Sequence, residues 1–413
     1  MKHAAPVFAF LALTFSTQAF NWPQWRGAKR DDLSPETGLL KEWPPEGPKR
    51  LWLYEKAGNG YSGPAIVNDR FFTIGTRDQQ EILLCLDAVT GQERWATPLS
   101  NILDNKWGVG PRSTPTVDGD RVYAMSGPGV LSCVQASDGK VLWKRTMAEL
   151  GGKTPGWGYT ESPLVDGEQV VCTPGGPQGA VAALDKKTGA TLWQSKDFTD
   201  GAQYSSIVPA VINGKPQYVQ RTAISIVGIS PKDGALLWKQ EYPGKTAVIP
   251  TPIVKDNQVY VTAGYGVGSM SFIVQPDNTL RMVFDETSST GKVMKNHHGG
   301  VILVDGYLYG YSDGLGWTCQ DWKTGAVVWN EKSKLGKGAI GYADGHFYLL
   351  DEGSGSVVLI DASHEGWHET GRFKLDPQTT IRSPQGHIWT HPVICNGRLY
   401  LRDQDLIYCY AVK

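Results

Sequence analysis

The chain has 413 residues, a formal net charge of −1, 49 glycines and 15 tryptophans. So balanced a charge leaves no electrostatic footprint for nucleic acid or an anionic membrane surface, and neither is expected as a partner. The length alone would allow two or three domains.

In chain order, Met1-Lys2-His3 precedes an apolar run from Ala4 to Phe15, followed by Ser16-Thr17-Gln18-Ala19. A basic start, an apolar centre and small residues before the cut read as a secretory signal, residues 1–19, cleaved near Ala19. The run is too short to span a bilayer comfortably, so no transmembrane segment is expected. No cysteine precedes Cys85, which leaves the leader none for lipid attachment. The expected product is exported, periplasmic or extracellular, and monomeric. Residues 20–48 then form an N-terminal extension, and 49–413 form one repeat domain.

Lys49-Arg50-Leu51-Trp52-Leu53-Tyr54 reads as a strand, and its tryptophan opens a series. Trp52, Trp95, Trp143, Trp193, Trp238 and Trp329 are spaced by multiples of 43 to 50 residues. Phe284 falls midway through the one double interval, and Phe373 follows Trp329 by 44. Five of the tryptophans stand four residues after a glycine, namely Gly91, Gly139, Gly189, Gly234 and Gly325. A period of this length marks a repeat architecture and overrides the domain count suggested by length. First-strand signals occur near Pro64, Pro115, Pro163, Pro209, Pro252, Gly300, Gly341 and Pro392. Each leads to a turn such as Asp118-Gly119 or Asn396-Gly397, then to a β-branched and aromatic run such as Arg121-Val122-Tyr123-Ala124-Met125. These are hairpin residues between alternating strands. A third strand reaches a Thr-Gly or Asp-Gly turn, and a fourth carries the tryptophan.

Four antiparallel strands in about 45 residues make one propeller blade, and a blade so small must stack on its neighbours to bury its faces. An indole suits the gap between sheets, because it fills volume and still offers its N–H to a partner. The predicted fold is all-β: an eight-bladed β-propeller of four-stranded antiparallel blades. The last repeat has a third strand, Leu406 to Val412, and no outer strand after it. Pairing of the N-terminal strand with the C-terminal blade would supply one and remove two open edges.

Six cysteines in an exported chain raise the question of disulfides. Cys85, Cys133, Cys319 and Cys409 share one register in four different repeats, and equivalent positions of separate blades lie beyond disulfide reach. Buried free thiols are expected. The short turns fall on one face of the ring and the longer loops on the other, where binding on a rigid scaffold concentrates. The entrances of the innermost strands would line that mouth with Arg112, Tyr159, Glu161, Tyr204, Asn296, His297, His298, Lys337, Trp389 and His391, and with Tyr61, Ser205 and His387 beside them. Arg112 and Lys337 suit an anionic group, with Glu161 or Asn296 as polar partners; the alternative is that the whole set is a hydrogen-bonded plug. His297-His298 and His387-x3-His391 are the only metal-like patterns. Adjacent strand residues point to opposite faces, so no metal site is expected. No catalytic residue is identifiable.

Leu184-Asp185-Lys186-Lys187-Thr188-Gly189-Ala190-Thr191-Leu192-Trp193 resembles the tryptophan-docking motif of pyrroloquinoline quinone (PQQ)-like propellers, and five repeats carry versions of it. That superfamily includes quinoprotein alcohol dehydrogenases and the propeller lipoprotein of the outer-membrane β-barrel assembly machinery. Asn21 to Gly27 and Asn296 to Gly300 also resemble exported PQQ-like repeat proteins of planctomycete-type bacteria. The dehydrogenases use a vicinal cysteine pair over the quinone, a Glu/Asn/Asp calcium site and an aspartate base. This chain has no Cys-Cys dipeptide and lacks the long insertions that cover the cofactor. A quinone here would have to stack on Trp157 or Trp389, with Arg112 or Lys337 on its carboxylates. The resemblance implies a non-catalytic binding or scaffold propeller, acting through the long-loop face on a protein partner or a small polar ligand. The alternative it leaves open is a PQQ-dependent alcohol or sugar dehydrogenase with PQQ and calcium as cofactors.

Overall fold

The computed structural model describes residues 20–244, 246–288 and 292–413. The secretory signal expected at 1–19 lies outside them. Seven blades follow in order at residues 65–101, 116–146, 164–194, 208–241, 253–285, 301–331 and 338–374, each with its four strands hydrogen-bonded in sequence order. First strands of neighbouring blades approach one another, which places them around the axis. The eighth blade joins Val393–Cys395, Arg398–Asp403 and Leu406–Ala411 to the N-terminal strand Arg50–Tyr54, with Trp52 opposite Cys409. The all-β, eight-bladed fold and its closure are as the repeat requires. Pro209 and Gly341 fall inside their strands, Val208–Ile212 and Gly338–Ala343, and the other six signals stand ahead of theirs.

Local chemistry explains the turns. Asn213-Gly214, Asp305-Gly306, Asp344-Gly345 and Asn396-Gly397 have both residues at positive φ, as two-residue hairpins of matching twist require. Five of the six repeat tryptophans dock on the following blade. The indole N–H of Trp52, Trp95, Trp143 and Trp193 donates to a carbonyl of the following blade, at Ala88, Ala136, Lys186 and Pro231 respectively. The ring lies on that blade's turn glycine: a Cβ on Gly139 would come within 2.7 Å of the Trp95 ring. Trp329 donates to Ser363 in the same manner, and Phe284 sits over Gly325.

Trp238 departs from its expected docking role. Its N–H donates to Gln217 Oε1, within its own blade. The reason lies in blade 5, whose matching turn reads Gln275-Pro276-Asp277-Asn278-Thr279 and offers no glycine seat. All six cysteines are buried and free, and Cys85, Cys133, Cys319 and Cys409 each pair with the docking tryptophan of their own sheet.

The N-terminal extension is built into the ring. Trp22 exchanges two 2.7 Å backbone hydrogen bonds with Ile66 on the first strand of blade 1, and the Pro23 carbonyl accepts from Val117 of blade 2. Arg30 donates to the carbonyls of Ser162, Pro163 and Ile207 on blades 3 and 4. Arg26 donates to the Val301 carbonyl of blade 6 at 2.6 Å and pairs with Asp32 at 2.6 Å. Leu33–Ser34 then adds a parallel fifth strand beside Gly338–Ala343 of blade 7. Arg26, Arg30 and Asp32 are buried. A loop that bonds the inner strands of so many blades must occupy the axis, and charge-assisted bonds to carbonyls make it a firm stopper.

Candidate functional site

Above this stopper, on the long-loop face, lies a cup of about 420 Å³. Trp25 lines it from the stopper, with its N–H on Thr251 Oγ1 at 3.2 Å and its ring edge-on to His391 at 4.7 Å. Tyr61, Trp157, Tyr204, Tyr265 and Trp389 supply further aromatic walls. The long loops ahead of the innermost strands deliver most of these side chains, so a rigid ring presents irregular backbone.

Seven of the ten residues expected at the mouth line the cup: Arg112, Tyr204, His297, His298, Lys337, Trp389 and His391. Arg112 lies over the Tyr61 ring at 5.3 Å and donates to the carbonyls of Gly110 and Gly108, each at 2.7 Å. Its burial pulls its pKa down, so the charge is held where it is poorly hydrated and favours an incoming anion. Lys337 pairs with Asp313 at 3.0 Å.

The other three turn away from the cup. Tyr159 is packed in the core between blades 2 and 3, with its hydroxyl on the Pro174 carbonyl at 3.0 Å. Glu161 accepts from the Thr173 amide at 2.6 Å and the Thr173 hydroxyl at 3.0 Å, and burial pushes its pKa up to about 7. Asn296 donates to the Gly300 and Tyr311 carbonyls, each at 3.0 Å. These three fill structural roles, so the pairing of Arg112 or Lys337 with Glu161 or Asn296 does not occur. Ser205 is likewise buried, donating to the Pro250 carbonyl at 3.3 Å.

His297 and His298 do not diverge as strand neighbours would, and the reason is local. They lie between the strands Leu280–Asp285 and Val301–Val304 in a segment with no strand among its described residues, where side-chain alternation does not apply. Their ring centroids are 5.3 Å apart, and with Glu352 their candidate ligand atoms all lie within 4.8 Å of one another. Glu352 sits in the turn after His346–Asp351 and accepts the Trp389 N–H at 2.9 Å. Burial pushes Glu352 up to about 7, against the pull of Lys337. Burial also pushes His297 down to about 4 and His298 well below its ordinary value, so both rings are neutral at neutral pH.

Sequence reasoning missed Trp25, Tyr265 and Glu352. Glu352 was within reach, since loops between second and third strands share the long-loop face. Trp25 was not, because nothing in the period says where a segment outside it will run.

A calcium-bound quinone does not fit these residues. Calcium takes about six to eight oxygen ligands, whereas the cup offers one carboxylate, Glu352, beside imidazoles and scattered hydroxyls; Glu161 and Asn296 do not line it. No cysteine lines the cup.

A PQQ-repeat family model described as outer membrane protein assembly factor BamB matches residues 78–331, more than half of the chain. No curated protein sequence matches. Among solved structures, BamB from Moraxella catarrhalis is 16% identical with a TM-score of 0.59, over 88% of this chain and 98% of that one. The quinohemoprotein alcohol dehydrogenase from Comamonas testosteroni is 12% identical with a TM-score of 0.67, over 95% and 80%. A europium-containing methanol dehydrogenase is 12% identical with a TM-score of 0.65, over 93% and 89%. At these identities the structural likeness speaks for the fold alone. Among the described residues no helix is long and apolar enough to cross a membrane.

Proposed function

We propose, from the premise that this chain belongs to the family of outer membrane protein assembly factor BamB, that it is an exported, non-catalytic binding propeller. Its long-loop face takes a flat, mainly apolar group that carries a negative charge. One observation supports this most strongly: the N-terminal stopper converts the channel into a blind cup with Trp25 at its base and Arg112 in its wall. Aromatic faces recognise flat groups, and a poorly hydrated guanidinium recognises a carboxylate. The group is either a free small molecule or the end of an exported protein partner.

Tryptophan fluorescence tests the reading, with 2-naphthoate as the free probe and a short peptide ending in a tryptophan carboxylate as the chain-borne one. Saturable quenching by one of them is expected, weakened about tenfold or more in Arg112→Ala, since a charge-assisted contact contributes about 1.5–3 kcal/mol. The better probe identifies the source of the group. Saturation by neither, or equal binding by Arg112→Ala, overturns it. Dye-linked alcohol oxidation after incubation with PQQ and calcium is expected to stay at background. Turnover abolished by Trp389→Ala would install a dehydrogenase instead.

A further inference from the structure

We propose that His297, His298 and Glu352 form a binding site for one divalent transition-metal ion of the zinc class in the wall of the cup. Two imidazoles and a carboxylate are the donor types such ions prefer, and three protein ligands leave a position for water or another ligand. The site does not depend on what else the cup binds.

His298 is only 6% exposed, yet neither ring nitrogen has a hydrogen-bond partner among the described residues, and Nδ1 lies 3.4 Å from Glu352 Oε2. An imidazole buried without partners loses the hydrogen bonds it had in water, a cost that a metal bond offsets. His297 has the same feature at one nitrogen: Nδ1 is buried with no partner among the described residues, while Nε2 lies 3.1 Å from the Tyr265 hydroxyl. Tyr265 therefore stands where an outer partner orients a ligating imidazole, and the Trp389 N–H does the same for Glu352.

Distance and charge also suit the site. Ligand atoms within 4.8 Å of one another need a modest inward rotation to reach bonds of about 2.0–2.2 Å to a common ion. The nearby cation, Lys337, is offset by Asp313 at 3.0 Å. Calcium and magnesium, which take oxygen ligands, are not the expected occupants. His297, His298 and Glu352 all line the cup, where a bound ion would add a Lewis-acidic contact to the hydrogen-bonding one that Arg112 offers.

The test uses the full secreted chain, stripped with chelator and titrated with Zn2+ by calorimetry and with Co2+ by visible absorption. One ion per chain is expected, with the d–d bands of a four- or five-coordinate site. Glu352→Gln and His297→Asn should each weaken binding about 100-fold, while circular dichroism and the melting temperature in chelator remain those of the parent. His368→Ala is the control, because His346, Asp361 and His368 form a second, more exposed cluster. Absence of stoichiometric binding overturns the proposal. So does binding that survives both cup variants or is lost only in His368→Ala.

Discussion

Glu161 is 2% exposed, bonded to Thr173 and close enough to Arg30 to feel its charge. Burial nonetheless wins and lifts its pKa to about 7, from an ordinary value of 4.5. A carboxyl whose folded pKa lies above its unfolded one binds more protons when folded. Its contribution is therefore largest below the unfolded value and is lost as pH rises through the folded value. Glu81, also pushed up to about 7 by burial, acts in the same sense. His297 and His298 act oppositely, because a depressed histidine pKa costs stability as pH falls. The Glu161 effect is thus read as a difference between proteins, which cancels the other groups. Glu161→Gln should gain stability relative to the parent between about pH 5 and pH 8, by at most about 3 kcal/mol. Urea unfolding across that range measures it, and a difference that does not change with pH contradicts the burial argument.

Between residue and ring stand the docking contacts, which differ in kind along the chain. Trp143 couples two blades through its bond to Lys186 and its seat on Gly189, whereas Trp238 bonds within its own sheet. Trp143→Ala should cost about 3 kcal/mol from lost packing and volume. Gly189→Ala should lose much of the same stabilisation, since an added Cβ would stand 2.8 Å from the Trp143 ring. A double-mutant cycle checks this: strong non-additivity is expected for Trp143 with Gly189, and additivity for Trp238 with either. The blades were legible because each repeat writes its own turns and seat, as at Thr188-Gly189 and Trp193. Even the Trp238 exception was present in the sequence as the glycine missing from Gln275 to Thr279. The stopper was not legible, because Arg30 finds its partners in backbone carbonyls of Ser162, Pro163 and Ile207, which any residue supplies. Half of the site stood on similar ground: Arg112 and Lys337 announce charge, but only the folded loop decides that Asn296 turns to Gly300 while His298 faces the cup.

At the scale of the whole molecule, stability depends on closing a ring of units that each contact only their neighbours. Seven joints form between consecutive blades, and the eighth is made by Arg50–Tyr54, which pairs Trp52 with Cys409 and seats its ring on Gly91 of blade 1. The stopper, Trp22 to Asp32, precedes this strand in the chain, so the N-terminal region acts at both the axis and the rim. The two roles separate by truncation. Deleting residues 20–32 removes the stopper and strands buried carbonyls, at about 1–3 kcal/mol each, yet leaves every blade complete. That variant should melt at a lower temperature without aggregating. Deleting residues 20–54 also uncovers the edge of Leu406–Ala411, a run of paired strand whose outer neighbour is then gone. An open edge of that length templates pairing with other chains, so this variant should aggregate at concentrations where the shorter truncation does not. Light scattering during thermal unfolding distinguishes the two. If the longer truncation does not aggregate and has the melting temperature of the shorter one, the eighth joint contributes nothing, and the ring is held by its other seven.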